Sequence, residues 1–128
     1  MSELQALIGV LSAGAYLPQQ IVTNEEVAAG CRMSAEWIVE RTGVLRRHRA
    51  APDQAPSDLA AQAVLQALER AGLSAQDLGL LVLATSIPDE FGPPTACRVQ
   101  ALLGARNAVA FRCDGGVLGM AVRGPSGA

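Results

Sequence analysis

Short continuous apolar runs alternate along this chain with stretches in which apolar residues return every three or four positions, so strands and helices should alternate. Leu80-Leu81-Val82-Leu83-Ala84 is bounded by Gly79 and by Thr85-Ser86-Ile87-Pro88, which suits a strand buried on both faces. Gly92-Pro93-Pro94 ends it, Thr95 can cap a helix from Ala96 to Leu103, and Gly104 stands where that helix stops. Ala108-Val109-Ala110-Phe111 is a second short run, and a strand, a helix and a strand in that order make a parallel pair. In open parallel sheets chemistry sits beyond the carboxyl ends of strands, which draws attention to the residues after Phe111.

Upstream, Leu7-Ile8-Gly9-Val10-Leu11 reads as another apolar strand, and Ser12-Ala13-Gly14-Ala15 follows it with small residues that permit close packing. Thr23 and Glu26 have capping-box spacing for a short helix that Gly30 ends. Ser34 caps a second, through Thr42, that Gly43 stops. After the linker Ala50 to Pro56, Ser57 caps a longer helix to Ala71. Its Leu59, Ala63, Ala67 and Ala71, with Val64 and Leu68 beside them, give an alanine-rich face fit to lie close on a sheet. The expected architecture is an α/β layer of about three parallel strands with covering helices, interrupted by an insertion of two small helices.

Composition narrows this picture. With 128 residues, 50% of them hydrophobic and 17% charged, the chain suits one domain or part of one and is too apolar for disorder throughout. A net charge of -2 gives no reason to expect nucleic acid or an anionic membrane as partner. No apolar run approaches the ~20 residues that cross a bilayer, and no basic flank precedes the first apolar residues, so a cytoplasmic location is expected. Cys31, Cys97 and Cys113 are odd in number and widely spaced, which speaks against a disulfide framework and against a metal site.

Two clusters are candidates for chemistry. Trp37 and Arg41 are four residues apart and share a helix face. An indole beside a guanidinium can hold an aromatic base while the guanidinium meets a phosphate; equally, an arginine stem can simply pack on a surface tryptophan. Arg46-Arg47-His48-Arg49 is densely basic but lacks interleaved aromatics, so a solvated loop is expected rather than a nucleic-acid contact. His48 is the only histidine and is read as structural.

Tyr16-Leu17-Pro18, Val22-Thr23-Asn24-Glu25-Glu26, Glu36-Trp37-Ile38-Val39-Glu40-Arg41-Thr42-Gly43-Val44, Arg47-His48, Ala51-Pro52, Ser57-Asp58-Leu59-Ala60 and Ala71-Gly72-Leu73 closely resemble the N-terminal part of β-ketoacyl-acyl-carrier-protein synthase III. So do Leu83-Ala84-Thr85, Pro93, Thr95-Ala96-Cys97-Arg98-Val99-Gln100 and Leu103-Gly104, up to Ala110-Phe111. The resemblance implies an incomplete thiolase-like fold, the N-terminal part of its first α/β half, within a homodimer when intact. It implies an acyltransferase that takes an acyl group from acyl-CoA onto a cysteine and condenses it with malonyl on acyl carrier protein, losing carbon dioxide. Acyl-CoA is then a substrate, and no permanently bound cofactor is expected. Trp37 and Arg41 match positions that hold the adenine end of coenzyme A. Met33 stands where the family has a threonine nearby, and Gly92 where some members have a phenylalanine reaching the partner's acyl pocket.

Beyond Phe111 the match fails. The family's nucleophile position is occupied by Val117, the family's histidine and asparagine have no counterpart, and Cys113 falls four residues too early. Residues 1–111 therefore read as a partial thiolase-like half and residues 112–128 as an aberrant tail, frame-shifted or disordered. Written in GC-rich codons and read one base later, Arg112 to Gly119 can give Gly-Ala-Thr-Ala-Val-Cys-Ser-Gly, which restores a cysteine at the nucleophile position. Gly115, Gly116 and Arg123 to Ala128 are expected to be disordered. The alternative to an enzyme fragment is a non-catalytic module that binds coenzyme A or dimerises.

Overall fold

The computed structural model describes residues 9–113 and 118–123, with side chains for 9–113. Its strands are β1 (Gln20–Thr23), β2 (Arg46–Arg49), β3 (Leu78–Ala84), β4 (Val109–Cys113) and β5 (Leu118–Arg123). The helices are α1 (Asn24–Ala29), α2 (Ala35–Thr42), α3 (Pro56–Ala71) and α4 (Thr95–Leu103), with one 3-10 turn at Ala75–Asp77. The chain divides into two compact units: Leu17–Ala55, and the described residues on either side of that segment. The expected insertion is thus a unit in its own right.

In the larger unit the strand-helix-strand reading holds. β3 and β4 are parallel, Leu80 opposite Val109 and Val82 opposite Phe111, with α4 between them in sequence. Ala61 and Leu68 of α3, Ala96, Val99 and Leu103 of α4, and Leu81 and Leu83 of β3 form one buried cluster. Alternation puts Leu80, Val82, Val109 and Phe111 on the other face, where Val109 and Phe111 remain 57% and 56% exposed. Among the described residues β3 is therefore fully covered on one face only, not on both as its apolar run suggests.

The third strand is not the expected one. The sheet order is β4-β3-β5, and β5 runs antiparallel to β3. With both edges of β3 occupied, Gly9 to Leu11 form no strand, and Val10 and Leu11 are exposed; Leu7 and Ile8 lie outside the described residues. The chain instead runs along α3. Ser12 Oγ donates to the Ala67 carbonyl at 2.7 Å, Ala15 N–H to Gln66 Oε1 at 2.9 Å, and Arg70 Nη1 to the Ala13 carbonyl at 2.7 Å. A Cβ on Gly14 would collide with the Ala63 carbonyl oxygen and lie 2.6 Å from the Ala67 nitrogen. Part of the alanine face of α3 therefore receives this segment rather than the sheet. Arg123, expected in a disordered tail, ends β5. Gly115, Gly116 and residues 124–128 lie outside the described residues.

Two expected caps do not form. α3 begins at Pro56 and α4 at Thr95, so Ser57 and Thr95 are helical residues, both buried. Asp89 touches both starts but caps one: its Oδ1 accepts from Ser57 N–H at 3.0 Å in α3, whereas its own N–H donates to Thr95 Oγ1 at 3.1 Å, and no side chain among the described residues caps α4. The Asp89 side chain is only 2% exposed, and Arg98 approaches it at 3.4 Å. A carboxylate suits the unpaired amides at a helix start, which local spacing alone assigned to the hydroxyls.

In the smaller unit the capping box forms as expected. Glu26 N–H donates to Thr23 Oγ1 at 3.4 Å and Thr23 N–H to Glu26 Oε2 at 3.0 Å. Arg46–Arg49 is not a loop: it is β2, paired antiparallel with β1 through Gln20–Arg49, Ile21–His48, Val22–Arg47 and Thr23–Arg46.

Candidate functional site

The candidate site is on α2, and its geometry follows from local sequence. Ser34 Oγ accepts the Trp37 N–H at 3.1 Å and so starts the helix; Gly43, at φ 69°, takes the left-handed conformation that ends it and donates to the Val39 carbonyl at 2.8 Å. Ile38 is the buried residue of α2. With Ile38 turned inward, Trp37 and Arg41 share an outward face, and the Arg41 guanidinium carbon lies 5.9 Å from the centroid of the Trp37 ring. That is near the outer limit of a cation-π contact, worth about 0.5 to 1 kcal/mol where exposed. Trp37 is 44% exposed, and Arg41 is exposed as well.

An uncovered indole face with a guanidinium at its edge offers stacking for a planar base and a forked donor for phosphate. Charge around it is mixed. The Glu36 carboxyl is held below the usual carboxylate range by its own backbone N–H and by the Ser34 hydroxyl, opposed by slight desolvation and by the Glu25 charge. Glu25 is lowered in the same way at the start of α1, by its own N–H and by the Thr23 hydroxyl. Both are helix N-terminal carboxylates, stabilised as anions by the free amides there.

Two residues of the basic cluster make contacts of their own away from the pair. Arg47 Nη2 turns to Asn24 Oδ1 at 2.9 Å, and His48 Nδ1 meets the Pro18 carbonyl at 2.6 Å. Met33 is exposed two residues before the helix. Phe91 is fully exposed and Gly92 exposed beside it in the loop before α4. Cys113 is the last residue of β4, and Val117 lies outside the described residues. No group of three or more metal-ligating side chains and no helix able to span a membrane occurs among the described residues. Sequence reasoning missed Asn24, a 3% exposed polar residue; its position directly after a cap was the available signal.

No family model matches the chain. A β-ketoacyl-[acyl-carrier-protein] synthase III of Methylococcus capsulatus is 45% identical over 117 residues, covering 88% of this chain and 36% of that protein. Its counterpart in Caulobacter vibrioides is 48% identical over the same share of each. Among solved structures, 3-oxoacyl-[acyl-carrier-protein] synthase III of Aquifex aeolicus superposes with a TM-score of 0.75 at 38% identity, over 82% of this chain and 34% of that one. The priming β-ketosynthase of the R1128 polyketide pathway gives 0.76 at 34%, over 83% and 32%. The chain spans about a third of the length of the relatives it matches.

Proposed function

Because the chain belongs to the β-ketoacyl-[acyl-carrier-protein] synthase III family over its matched length, we propose that it carries the coenzyme-A-facing part of a fatty-acid or polyketide initiation synthase. In that reaction an acyl group passes from acyl-CoA to a cysteine and is then joined to malonyl on acyl carrier protein with loss of carbon dioxide. Acyl-CoA enters as substrate, malonyl-acyl carrier protein is the second partner, and the setting is cytoplasmic. The supporting observation is the Trp37–Arg41 pair, exposed and 5.9 Å apart on a helix whose ends are both fixed.

This chain by itself supplies no nucleophile in the reading. Val117 stands at the cysteine position, and the single histidine is bonded to the Pro18 carbonyl. Coenzyme A binding is therefore the activity to measure. Trp37 is the only tryptophan, so its fluorescence reports the site directly. Coenzyme A should quench it saturably, and Arg41→Ala should weaken that binding several-fold. Identical titrations for both proteins would refute the role of Arg41. The source gene, read in the neighbouring frame beyond the Phe111 codon, tests the frame-shift reading through the cysteine codon it requires.

A second reading, a dimerising module without catalysis, is favoured by β4. Its outer edge has no partner strand among the described residues, and Val109 and Phe111 are more than half exposed beside it. Such an edge can pair with a second copy. Sedimentation should then show a dimer that Phe111→Lys returns to monomer; a monomer at all concentrations would end this reading.

A further inference from the structure

Asn24 is the first residue of α1, and its amide bonds in two directions. Nδ2 donates to the Val44 carbonyl at 2.7 Å, and Oδ1 accepts from Arg47 Nη2 at 2.9 Å. A guanidinium has only donors, so it fixes the oxygen end of the amide toward itself and leaves the NH2 end for the carbonyl. Reversing the amide would set donor against donor and acceptor against acceptor. Arg47 thereby orients Asn24, and Asn24 ties down Val44.

Val44 follows the left-handed Gly43 that ends α2. Its N–H donates to Thr42 Oγ1 at 3.1 Å, and the same hydroxyl donates to the Ile38 carbonyl at 2.6 Å. The last turn of α2 is thus anchored by the buried Ile38 and by the Val44 tether. Trp37 and Arg41 sit one residue before each end of the Ile38–Thr42 bond. Their 5.9 Å separation leaves little tolerance, since a modest loosening of this turn takes the guanidinium out of range of the ring.

We propose that Asn24 is the positioning residue of the Trp37–Arg41 pair, holding the carboxyl-terminal turn of α2 through the Val44 carbonyl, with Arg47 setting its amide. Neither residue is bonded to the pair. The inference deepens the coenzyme A reading and rests on it only for the ligand. Arg47 Nη1 is already a buried donor without a partner among the described residues, so removing the Asn24 oxygen strands a second donor of the same group. Asn24→Asp avoids this: it keeps an acceptor for Arg47 and replaces the donor to Val44 with a carboxylate oxygen that faces the Val44 carbonyl, which releases the tether.

The test needs no ligand at first. Trp37 emission and its quenching by acrylamide are compared in the 128-residue wild-type chain, Arg41→Ala, Asn24→Asp and the double variant. In the wild-type background Arg41→Ala should change the Trp37 signal; in the Asn24→Asp background most of that change should vanish. An undiminished Arg41 effect would overturn the proposal. Unfolding of Asn24→Asp and of Asn24→Ser, seen by circular dichroism, would overturn it too, because Asn24 would then hold the whole unit rather than the pair.

Coenzyme A then serves as the probe. Asn24→Asp should weaken its binding by about five- to tenfold, the cost of one hydrogen bond. Wild-type binding undisturbed by Asn24→Asp overturns the proposal while leaving the coenzyme A reading intact. Coupling between Asn24 and Arg41 in the fluorescence cycle, without coenzyme A binding to any variant, supports the positioning role and overturns the ligand reading instead.

Discussion

In the unit spanning Leu17–Ala55, the buried apolar side chains include Val22 and Ile38, and order comes from directional bonds: a capping box, a serine cap, and the bonds of Asn24, Thr42 and His48. The larger unit is built the other way. α3 and α4 bury a continuous cluster against one face of β3, while Leu80, Val82, Val109 and Phe111 line the face opposite. Bonds between specific atoms tolerate little substitution but need little area; a buried layer tolerates volume-conserving changes but depends on its area. The candidate ligand pair belongs to the first kind of structure, and the uncovered sheet face to the second. A uniformly destabilised chain would lose them for different reasons.

The largest expected effect comes from emptying the layer. Leu81 is 2% exposed at the centre of the cluster, and Leu81→Ala should cost about 2 to 5 kcal/mol, enough to unfold a marginal unit. Far-UV circular dichroism follows the loss of α3 and α4, while Trp37 fluorescence follows the smaller unit alone. If the Trp37 transition stays in place while most helicity melts, the two units are energetically separate. If both move together by the same amount, the contrast is one of construction within a single cooperative body.

Next comes a withdrawn carboxylate on which the start of α3 leans. Asp89→Ala leaves the buried Ser57 N–H without an acceptor and removes the charge beside Arg98, a loss of about 1 to 3 kcal/mol. Asp89→Asn keeps an oxygen for Ser57 and should recover most of it, because Arg98 is 46% exposed and its ion pair is weak. Equal losses for the two variants would mean that the ion pair matters more than the helix start.

These residues also show where the sequence was legible. Trp37 and Arg41, the cap at Ser34 and the box at Thr23 and Glu26 lie within four residues of their partners, and local periodicity finds them. Asp89 acts on Ser57 from 32 positions away, so the nearest hydroxyls were assigned the cap instead. Arg46–Arg49 has no apolar alternation to mark a strand; β1 supplies the ladder and Asn24 receives Arg47. The parallel pair was readable because an apolar run, a helix and a second run leave few alternatives. The third strand was not, since Leu7 to Leu11 has the stronger apolar pattern while β5 takes the edge of β3. The α/β class and the family emerged from local patterns; the Asp89–Ser57 and Asn24–Arg47 bonds came only from chain-distant pairing.

A smaller effect should follow from the cap under the site. Ser34→Ala removes the acceptor of the Trp37 N–H and should cost the small unit about 1 kcal/mol. Trp37-detected unfolding should shift to lower denaturant, and Ser34→Asp should restore it by offering an oxygen with the charge preferred at a helix start. A shift in overall helicity without one in the Trp37 transition would place the cap's contribution outside the unit that contains it.

The smallest effect is electrostatic and concerns acid. In the folded chain Glu25 and Glu36 both hold their protons less tightly than ordinary glutamates, chiefly through their own backbone N–H groups and then through the Thr23 and Ser34 hydroxyls. A carboxyl with a depressed folded-state pKa adds stability that is fully present above its unfolded value and is lost as the pH falls through the folded one. Acidification through the carboxylate range should therefore lower the Trp37-detected midpoint of the small unit. Glu25→Gln/Glu36→Gln should start slightly less stable at neutral pH and fall less steeply over the same window. Because both side chains are exposed, the difference between the two profiles should shrink as salt is added. Parallel profiles at low salt would mean that these carboxylates contribute nothing to the unit, leaving its acid response to groups elsewhere and the neutral bonds of Asn24, Thr42 and Ser34 as the whole of its directional order.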